Sequence, residues 1–572
     1  MTLKQQLIAI VTEIVKDLEI EIIPSVDYPA DIKHGDYTTN IALVVFGNHH
    51  VFKSKAFTSP RELAEEIVER LRIADDKLRI FEKIEIAGPG FINFWVKNDI
   101  LFNRLLHLEK LQTPLIGKKI MVEFAHPNTH KAFHIGHLRN ITTGESIVRL
   151  LEAVGVKVIR VNYQGDVGMH IAKCLYGILQ NSDFKTNMTK LKDVKEKIDF
   201  LGKAYAAGSK AFEDDEKAKK EVGEINKKIY AKDSSIWELY ETTRQWSLAY
   251  FETIYKRVYS HFDRFYFESE TYKSGKETVL KGFKDGVFQE SEGAIIFPGS
   301  KYGLHDRVFI SSEGNPTYEG KDMGLGQLQF FGEYKPELIM HIVGPEQAGY
   351  FQVVFEALAQ MFPETRGKEF HLIYGWVKLK HGKMSSRTGN VVLGEWLLDE
   401  AKNKIKEEYK TIDKIAEQIA VGAVKYSFLK VGLNQEIAFD LEESISLNGN
   451  SGPYLQYTFA RTQSILRKTQ NAKRKTQNLS ESFDLQPEER EVLRLLAKFP
   501  EVVEEAAARY APHLVCTYLF DLAQAFNLFY QRFPILKAEE ASKAFRLRLT
   551  FQTGKILKKG LDLLGIQSPE RM

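Results

Sequence analysis

Two widely separated segments of the chain carry residue types that could do chemistry. In the first, residues 118–139, a β-branched strand leads through a Pro/Asn loop to His134-Ile135-Gly136-His137 at the start of a helix. Such a turn places backbone N–H groups and the positive end of the helix dipole where a phosphate can bind. The two histidines would face that phosphate, and Lys131 adds a cation on the same loop. The segment therefore indicates nucleotide chemistry.

The second segment is a loop of small residues with isolated cations, Lys383-Met384-Ser385-Ser386-Arg387-Thr388-Gly389-Asn390. A loop of this composition is flexible enough to close over a triphosphate in a transition state. Lys383 would then bring a positive charge to the phosphates. We expect the two segments to meet in one active site.

A metal site is the alternative for the first segment. His126, His130, His134 and His137 include pairs at i and i+4, which share a face when the backbone is helical. Pro127 and the loop interrupt any single helical face, which argues against a metallohydrolase. Histidines with a purely structural role are a further alternative. No metal site is predicted, and stoichiometric zinc found by elemental analysis would favour the metallohydrolase.

The composition indicates a soluble protein of several domains. A chain of 572 residues is too long for one core, and roughly two to four domains are expected. With 79 basic and 76 acidic side chains, any nucleic acid must be met by local patches rather than by net charge. Cys174 and Cys516 are the only cysteines, which excludes a disulfide framework and a four-cysteine zinc site. The first arginine is Arg61, unlike an Arg-rich transit peptide, so a cytoplasmic protein without a membrane span is expected.

Three regions differ in their element patterns. Residues 1–97 predict a small α/β unit, with helices at 7–18 and 60–71 and two strands within 83–96. Residues 118–400 alternate strands with helices, as a doubly wound parallel sheet requires, and a charge-dense helical insertion is predicted at about 184–251. Residues 401–572 predict an all-α domain, with helices at 415–429, from 487, at 513–531 and at 541–564. The strand candidates of the parallel sheet are 119–124, 156–162, 307–311 and 338–343.

The two chemical segments resemble the HIGH and KMSKS signatures of class I aminoacyl-tRNA synthetases. Across nearly the whole chain the resemblance is to the arginine enzymes, including GDY at residues 35–37 and AGPGFIN at residues 87–93 of their N-terminal domain. It implies a Rossmann-type catalytic domain, a helical anticodon-binding domain and an N-terminal domain that contacts tRNA. In the KMSKS register Ser386 replaces the second lysine and Arg387 follows, so the division of labour between Lys131, Lys383 and Arg387 stays open.

The resemblance implies an activity and a set of site residues. The activity is ATP-dependent conversion of arginine to its adenylate and transfer to the 2′-hydroxyl of the terminal tRNA adenosine, with Mg²⁺ accompanying ATP. Catalysis is assigned to His134, His137, Lys131 and Lys383, and ATP binding to His134, Gly136, His137, Gly165, Asp166, Lys383, Met384 and Ser385. Arginine binding is assigned to Glu123, Asn128, His134, Tyr318, Asp322 and Gln347.

The arginine assignment agrees with the chemistry of the side chain. A guanidinium is a permanently charged planar fork of five donors, so a specific pocket needs carboxylates and other acceptors. Tyr318 and Asp322 lie four residues apart, one helical turn on the same face. Buried acceptors would reject apolar amino acids, because those acceptors would be left unpaired. Taken singly, either residue could equally be structural.

A tRNA contact is predicted near residue 454. Tyr454, Tyr457 and Arg461 lie at i, i+3 and i+7 on one helical face, where aromatics can stack bases and an arginine can hold phosphate. No acidic residue occurs between Arg461 and Ser480. The segment resembles the GPYLQYxxxR motif of the arginine enzymes, and their C-terminal end implies a contact by Met572. The alternative is that the tyrosines only pack the helical bundle.

Two rival functions remain. One is a class I synthetase of another specificity, against which Tyr318, Asp322 and Gln347 count. The other is a non-catalytic tRNA-binding paralogue, against which the intact HIGH-type histidines count. The expected partners are tRNA, arginine and ATP, the chain is expected to be a monomer, and the resemblance implies that activation of arginine requires bound tRNA.

Overall fold

The computed structural model describes residues 2–29, 31–48, 57–105, 116–188, 190–380, 392–469 and 485–572. The predicted loop residues Lys383, Met384, Ser385 and Arg387 lie outside these ranges. Within them, no helix combines the length and apolar character needed to cross a membrane. Cys174 and Cys516 are buried and free, 342 positions apart in the sequence (516 − 174).

The N-terminal domain is a three-stranded antiparallel sheet covered by helices. Thr2 accepts a hydrogen bond from Gln5 N in a capping box that starts the first helix, and Ser59 with Pro60 starts the third. The hairpin predicted within residues 83–96 is confirmed, with the strand order β1-β3-β2. The elements are α1 (Leu3–Asp17), a 3₁₀ turn (Ile32–His34), β1 (Tyr37–Thr39), α2 (Ile41–Gly47), α3 (Pro60–Leu78), β2 (Phe81–Ala87), β3 (Phe91–Val96) and α4 (Asn98–Arg104).

The catalytic domain is built on a parallel sheet of five strands in the order β11-β10-β4-β5-β6. The central strand β4 is fully buried at Ile120 to Val122, as expected of a sheet covered on both faces. In the register, Glu123 at the end of β4 lies opposite His341 of β10. The strands of this domain are β4 (Lys119–Glu123), β5 (Lys157–Gln164), β6 (Arg264–Phe267), β7 (Gln289–Ser291), β8 (Ala294–Phe297), β9 (Arg307–Ile310), β10 (Leu338–Val343) and β11 (Glu369–Ile373).

One predicted strand was wrongly placed. Residues 307–311 were expected in the parallel sheet, but β9 pairs antiparallel with β8, and β8 with β7, in a separate three-stranded sheet. The reason is the connections: β7 and β8 are joined by a tight turn at Glu292 and Gly293, both with positive φ. A parallel strand needs a long crossover, usually a helix. The two outer strands of the parallel sheet, β6 and β11, were not predicted.

The helical insertion is longer than predicted at both ends. Between β5 and β6 the described chain is helical from Met169 to Arg257, and the inner faces of these helices form a separate apolar cluster around Leu175, Leu201 and Tyr240. The helices of the catalytic domain are α5 (Ile135–Ala153), α6 (Met169–Gln180), α7 (Ser182–Met188), α8 (Val194–Asp214), α9 (Glu216–Ala231), α10 (Ser234–Arg257), α11 (Glu268–Lys284), α12 (Tyr318–Phe331) and α13 (Ala348–Met361).

The described part of the C-terminal region is helical apart from one short parallel pair of strands. Pro487 stands in the first turn of α18 with Glu488 and Glu489, where the helix dipole favours acids. The predicted helices at 415–429, 513–531 and 541–564 are confirmed. The elements are β12 (Val377–Leu379), α14 (Gly394–Tyr409), α15 (Asp413–Leu429), β13 (Ile437–Phe439), α16 (Leu441–Ile445), α17 (Gly452–Arg467), α18 (Pro487–Ala508), α19 (Pro512–Arg532) and α20 (Glu540–Leu563).

The N-terminal domain docks on α18 through buried polar contacts. Asp36 receives hydrogen bonds from Arg490 at 2.9 and 3.3 Å. The Glu501 carboxylate accepts hydrogen bonds from the hydroxyls of Tyr28 and Tyr37 and from the backbone N–H of Lys4. Asp36 and Tyr37 belong to the GDY segment, so its side chains tie two domains together in addition to forming a turn.

We expect Arg490→Ala to destabilise this docking by about 2–4 kcal/mol, because it leaves the Asp36 carboxylate, only 2% exposed, without its cation. Thermal denaturation with limited proteolysis of the N-terminal domain measures the effect. Arg509→Ala is the matched control, since Arg509 on the same stretch of chain pairs with Glu505 at the surface, where such pairs contribute under about 1 kcal/mol. Equal destabilisation by both changes would contradict the prediction.

Candidate active site

The two histidines of the first segment interlock at the N-terminus of α5. His134 is the N-cap, and its Nδ1 accepts hydrogen bonds from Gly136 N at 3.1 Å and His137 N at 3.4 Å. His137 Nδ1 in turn accepts from His134 N at 3.2 Å, and the two rings stack with centroids 3.7 Å apart. A nitrogen that accepts a backbone N–H carries no proton. Each neutral ring therefore carries its proton on Nε2.

Both rings are neutral at physiological pH. Burial, reinforced by the nearby charge of Lys131, lowers the pKa of His134 to about 4. Burial also lowers the pKa of His137 well below its ordinary value, and His134 adds to the effect. The helix N-terminus therefore presents two neutral Nε2–H donors beside its own positive dipole end, which suits a phosphate oxygen.

Close packing fixes where this helix points. A Cβ on Gly144 of α5 would lie 2.4 Å from the Phe124 ring, so only glycine lets α5 approach the end of β4 this closely. Arg139, 1% exposed, donates to the carbonyls of Trp376, Leu433 and Gln435 in the chain around β12 and β13. The helix α5 is thus held from both the sheet and the C-terminal side.

The chain that follows the second segment pairs with the first segment. Ile135 N donates to Val392 O and Gly394 N donates to Phe133 O, each at 2.9 Å. The predicted loop lies between Lys380 and Val392 and is outside the described residues. Its downstream end is nevertheless paired directly with the backbone around His134, so the expected meeting of the two segments has structural support.

The other two histidines of the segment have hydrogen-bond partners within the protein. His130 is buried, and its Nε2 lies 2.8 Å from the Thr243 hydroxyl while its backbone N–H donates to Ser247. His126 Nε2 lies 3.2 Å from Ile342 O. In the described part of the chain no group of three His, Cys, Asp or Glu side chains is arranged to hold a metal. For His130 the structural role is the better interpretation.

Glu123 lies buried at the carboxyl end of β4. Its carboxylate accepts hydrogen bonds from Gln329 Nε2 and, at 3.1 Å, from His341 Nδ1. Burial raises the pKa of Glu123, but the charge and hydrogen bond of His341 outweigh it and hold the pKa below the ordinary value. Glu123 is therefore an ionised carboxylate held from two sides.

A second carboxyl group stands one turn into α12. Asp322 Oδ2 accepts a hydrogen bond from the Tyr350 hydroxyl at 2.6 Å. Burial raises the pKa of Asp322 to about 8, and the neighbouring charge of Glu123 contributes. Two carboxyl groups that influence each other, one of them largely protonated at neutral pH, form a site that a cationic ligand would satisfy.

The remaining predicted ligands differ in exposure and in their partners. Tyr318 opens α12 on the face of Asp322 and is 64% exposed, and Gln347 is exposed in the 3₁₀ turn Pro345–Gln347. Asn128 is partly buried against Gly165, where a Cβ would come within 2.2 Å of Asn128 Oδ1. The Asp166 carboxylate is fully buried and receives hydrogen bonds from Arg244 and Ser269. Its side chain therefore holds the loop rather than facing the cleft.

Sequence reasoning missed the groups that hold the two carboxyls. His341, Gln329 and Tyr350 were not singled out, and neither was the buried ion pair of Lys321 with Glu268, 2.6 Å apart. A signal for His341 was available: it is the one charged or titratable residue in the apolar strand LIMHIV. It also stands near the carboxyl end of the predicted strand 338–343.

Three of the four predicted tRNA residues line one pocket of about 850 Å³ near the C-terminus of the chain. Tyr457 and Arg461 line it together with Met572, and the Arg461 guanidinium stacks on the rings of Tyr457 and Tyr530 at 4.9 and 5.2 Å. Tyr454 differs: it packs on Phe520 and its hydroxyl accepts from Asn527 at 2.9 Å. For Tyr454 the packing alternative is therefore the better one.

Comparisons with known proteins cover the whole chain. Residues 100–441 match the family model "tRNA synthetases class I (R), catalytic domain", residues 455–572 the "DALR anticodon binding domain" and residues 1–96 the "Arginyl tRNA synthetase N terminal domain". Arginine–tRNA ligase of Phocaeicola vulgatus is 31% identical, with 100% of each chain covered. That of Treponema denticola is 34% identical, covering 96% of this chain and 95% of the relative.

Solved structures agree with these matches. The arginyl-tRNA synthetase of Thermus thermophilus superposes with a TM-score of 0.81 at 25% identity over 100% of both chains. The Plasmodium falciparum arginyl-tRNA synthetase superposes with a TM-score of 0.79 at 21% identity over 100% of both, a likeness of fold. The parallel catalytic sheet, the N-terminal domain and the helical C-terminal domain are thus those of these enzymes. The chain belongs to the arginyl-tRNA synthetases, the class I aminoacyl-tRNA synthetases that ligate arginine to tRNA.

Proposed function

We propose that the paired histidines at the N-terminus of α5 bind the ATP phosphates during arginine activation. The observation that carries the proposal is the hydrogen-bonded pair His134 and His137, each with its proton on Nε2. When the arginine carboxylate attacks the α-phosphorus and pyrophosphate leaves, negative charge develops on phosphate oxygens. Two preorganised donors that need no proton transfer stabilise that charge. Lys131 adds a cation from the same loop, and ATP enters with Mg²⁺.

The pairing around Phe133 and Val392 supports a role for the second segment. Lys383, Met384 and Ser385 stand on a connection whose downstream end is bonded to the backbone beside His134. We assign Lys383 to the leaving pyrophosphate, with Gly136 offering its backbone beside the nucleotide.

The arginine guanidinium is assigned to the two carboxyl groups, Glu123 and Asp322. The supporting observation is an acceptor without a donor beside Glu123. Gln329 is fully buried and its Nε2 donates to Glu123, while its Oε1 has no hydrogen-bond partner among the described residues. A buried acceptor without a donor is costly, and a guanidinium supplies several donors in one plane. Tyr318 is assigned to the substrate side chain as well, and Asn128 and Gln347 are assigned to the α-ammonium and carboxylate groups of arginine.

Charging of purified tRNA with each labelled amino acid, plus ATP–pyrophosphate exchange with and without tRNA, tests the function. We expect charging with arginine alone, and exchange only when tRNA is present. Charging with another amino acid would overturn the pocket assignment. Tight tRNA binding without any charging would favour the non-catalytic paralogue.

The anticodon contact is assigned to the pocket of Tyr457, Arg461 and Met572. We expect Tyr457→Ala to weaken tRNA binding about tenfold or more, because a base stacked on an aromatic ring contributes about 1–3 kcal/mol. Binding of labelled tRNA at two salt concentrations measures it. Tyr454→Phe is the control, since it removes only the hydroxyl bonded to Asn527. Weakening by Tyr454→Phe equal to that by Tyr457→Ala would indicate loss of bundle packing instead.

A further inference from the structure

Three titratable side chains form a buried row across three neighbouring strands of the catalytic sheet. His341 of β10 lies between Glu123 of β4, 3.1 Å away, and Glu369 of β11, 3.5 Å away. The three side chains are 2–7% exposed. Two phenylalanine rings of α13, Phe351 and Phe355, cover the imidazole at 5.0 and 5.4 Å.

This row depends on the imidazole being charged. A buried carboxylate costs several kcal/mol of lost hydration unless a cation or donors compensate it. Although burial lowers the pKa of His341, the hydrogen bond to Glu123 and the nearby carboxylates of Glu123 and Glu369 raise it to about 10. The ring is therefore an imidazolium over the physiological range, and Glu123 is ionised because of it.

The row also fixes how Glu123 is oriented. His341 donates to Oε1 and Gln329 donates to Oε2, so both oxygens are held and the carboxylate plane cannot turn. Each oxygen keeps a second lone pair for an incoming donor. Gln329 Oε1, which has no hydrogen-bond partner among the described residues, belongs to the amide that bonds this carboxylate. Glu123 and Gln329 together therefore offer acceptors to one planar cation.

We propose that His341, held by Glu369, is the positioning residue of the arginine pocket: it keeps Glu123 charged and aligned for the guanidinium without touching the substrate. The proposal rests on the assignment of Glu123 to arginine. It predicts that the neutral variant His341→Gln, which can still donate a hydrogen bond to Glu123, loses affinity for arginine because the positive charge is gone. The row is then a specificity element, because a protonated Glu123 would serve a neutral side chain as well as a cationic one.

Other titratable groups face the row, and all of them except His371, the site of the control variant, are common to every variant compared. His126 follows β4 with its Nδ1 3.8 Å from Glu123 Oε1, and burial lowers its pKa. The remaining groups are Tyr163 of β5, Tyr266 of β6, Glu268 of α11, Asp322 of α12, Tyr350 of α13 and His371 of β11. Because Asp322 titrates in the same pH range, the informative quantity is the ratio of a variant's arginine KM to that of the wild type.

The experiment is a double-mutant cycle on the full chain with tRNA present. Wild type, His341→Gln, Glu123→Gln and the double variant are assayed for arginine KM, ATP KM and kcat by pyrophosphate exchange between pH 6.5 and 9. We expect His341→Gln to raise the arginine KM about tenfold or more at pH 7, one pKa unit of Glu123 being tenfold. The ratio of the arginine KM of His341→Gln to that of the wild type should fall as the pH rises and Glu123 ionises. In the Glu123→Gln background, His341→Gln should change the arginine KM little.

Two further variants make the test specific. His371→Gln is the matched control, because His371 is the register partner of His341 on β11 but makes no hydrogen bond to Glu123. If His341→Gln fails to fold, as judged by thermal denaturation and tRNA binding, Glu369→Gln keeps the imidazole and should raise the arginine KM in the same direction by less.

Each outcome has one meaning. An unchanged arginine KM in Glu123→Gln overturns the pocket assignment itself. A Glu123 effect with no His341 effect, or a His341 effect that is independent of pH and undiminished in the Glu123→Gln background, overturns the positioning role alone. A His371→Gln effect as large as that of His341→Gln overturns it as well.

Discussion

Alanine at His134 or His137 is expected to lower kcat for arginine activation by about 10²–10³ while tRNA binding is retained. Removing one preorganised donor from developing charge typically costs this much. Removing either ring also releases the other, because each Nδ1 accepts the hydrogen bond that sets its neighbour's geometry. We therefore expect the double variant to be barely slower than either single variant. Pyrophosphate exchange and filter binding of tRNA measure the two quantities.

A control separates catalysis from helix capping. His134 is the N-cap of α5, and losing a cap costs about 1 kcal/mol of stability. His134→Asn keeps a capping acceptor but moves the donor, so it should restore the thermal stability lost in His134→Ala and leave kcat low. Recovery of kcat in His134→Asn would mean that the histidine acts only through the helix.

The pH profile provides a second check on the histidines. Because the pKa of His134 lies at about 4, the rings stay neutral donors through the physiological range. We therefore expect the kcat of the wild type to show no transition near pH 6.5. A transition there that is lost in His134→Asn would show that a charged imidazole takes part.

The sequence predicted most of the architecture because its signals were local. The hairpin within residues 83–96 and the helices from residue 413 onward follow alternation, helical periodicity and caps, which neighbouring residues decide. Strand 307–311 was assigned to the wrong sheet because pairing partners depend on connections far along the chain. Strands β6 and β11 are short and half-buried, so their apolar pattern is weak.

The site was predictable where it is linear in sequence and not where it is assembled across strands. His134, Gly136 and His137 could be placed at a helix N-terminus from their spacing alone. The ionisation states could not, because they follow from burial and from partners such as Tyr350 and His341 that lie on other elements. Asp166 shows the reverse: its Gly-Asp turn suggests a nucleotide contact, yet its carboxylate bonds Arg244 and Ser269.

The second large effect is expected at Asp322. Asp322→Asn should raise the arginine KM by about 10² or more, since removing one member of a buried charge pair costs about 2–5 kcal/mol, and should change ATP KM little. In the wild type, arginine binds the ionised carboxylate, so its affinity should rise with pH up to about 8 and then level off. Isothermal titration with arginine across pH measures this, and the Asn variant should lose the pH dependence. An unchanged pH dependence in Asp322→Asn would assign it to another group.

The same change should stabilise the empty protein, in contrast to its effect on binding. Burial raises the pKa of Asp322 to about 8, whereas the unfolded carboxyl titrates near its ordinary value of 3.8. Between these values folding takes up a proton, so this group lowers the free energy of unfolding increasingly from pH 4 and in full above pH 8. Asp322→Asn should therefore raise Tm by more at pH 8 than at pH 5. In free energy of unfolding, the gain at pH 8 should exceed the gain at pH 5 by at least about 1 kcal/mol. Saturating arginine should reverse the order of the melting temperatures of the wild type and Asp322→Asn. A carboxylate that lowers stability in the empty site and raises affinity for arginine in the filled site is what selection for a cationic substrate would retain.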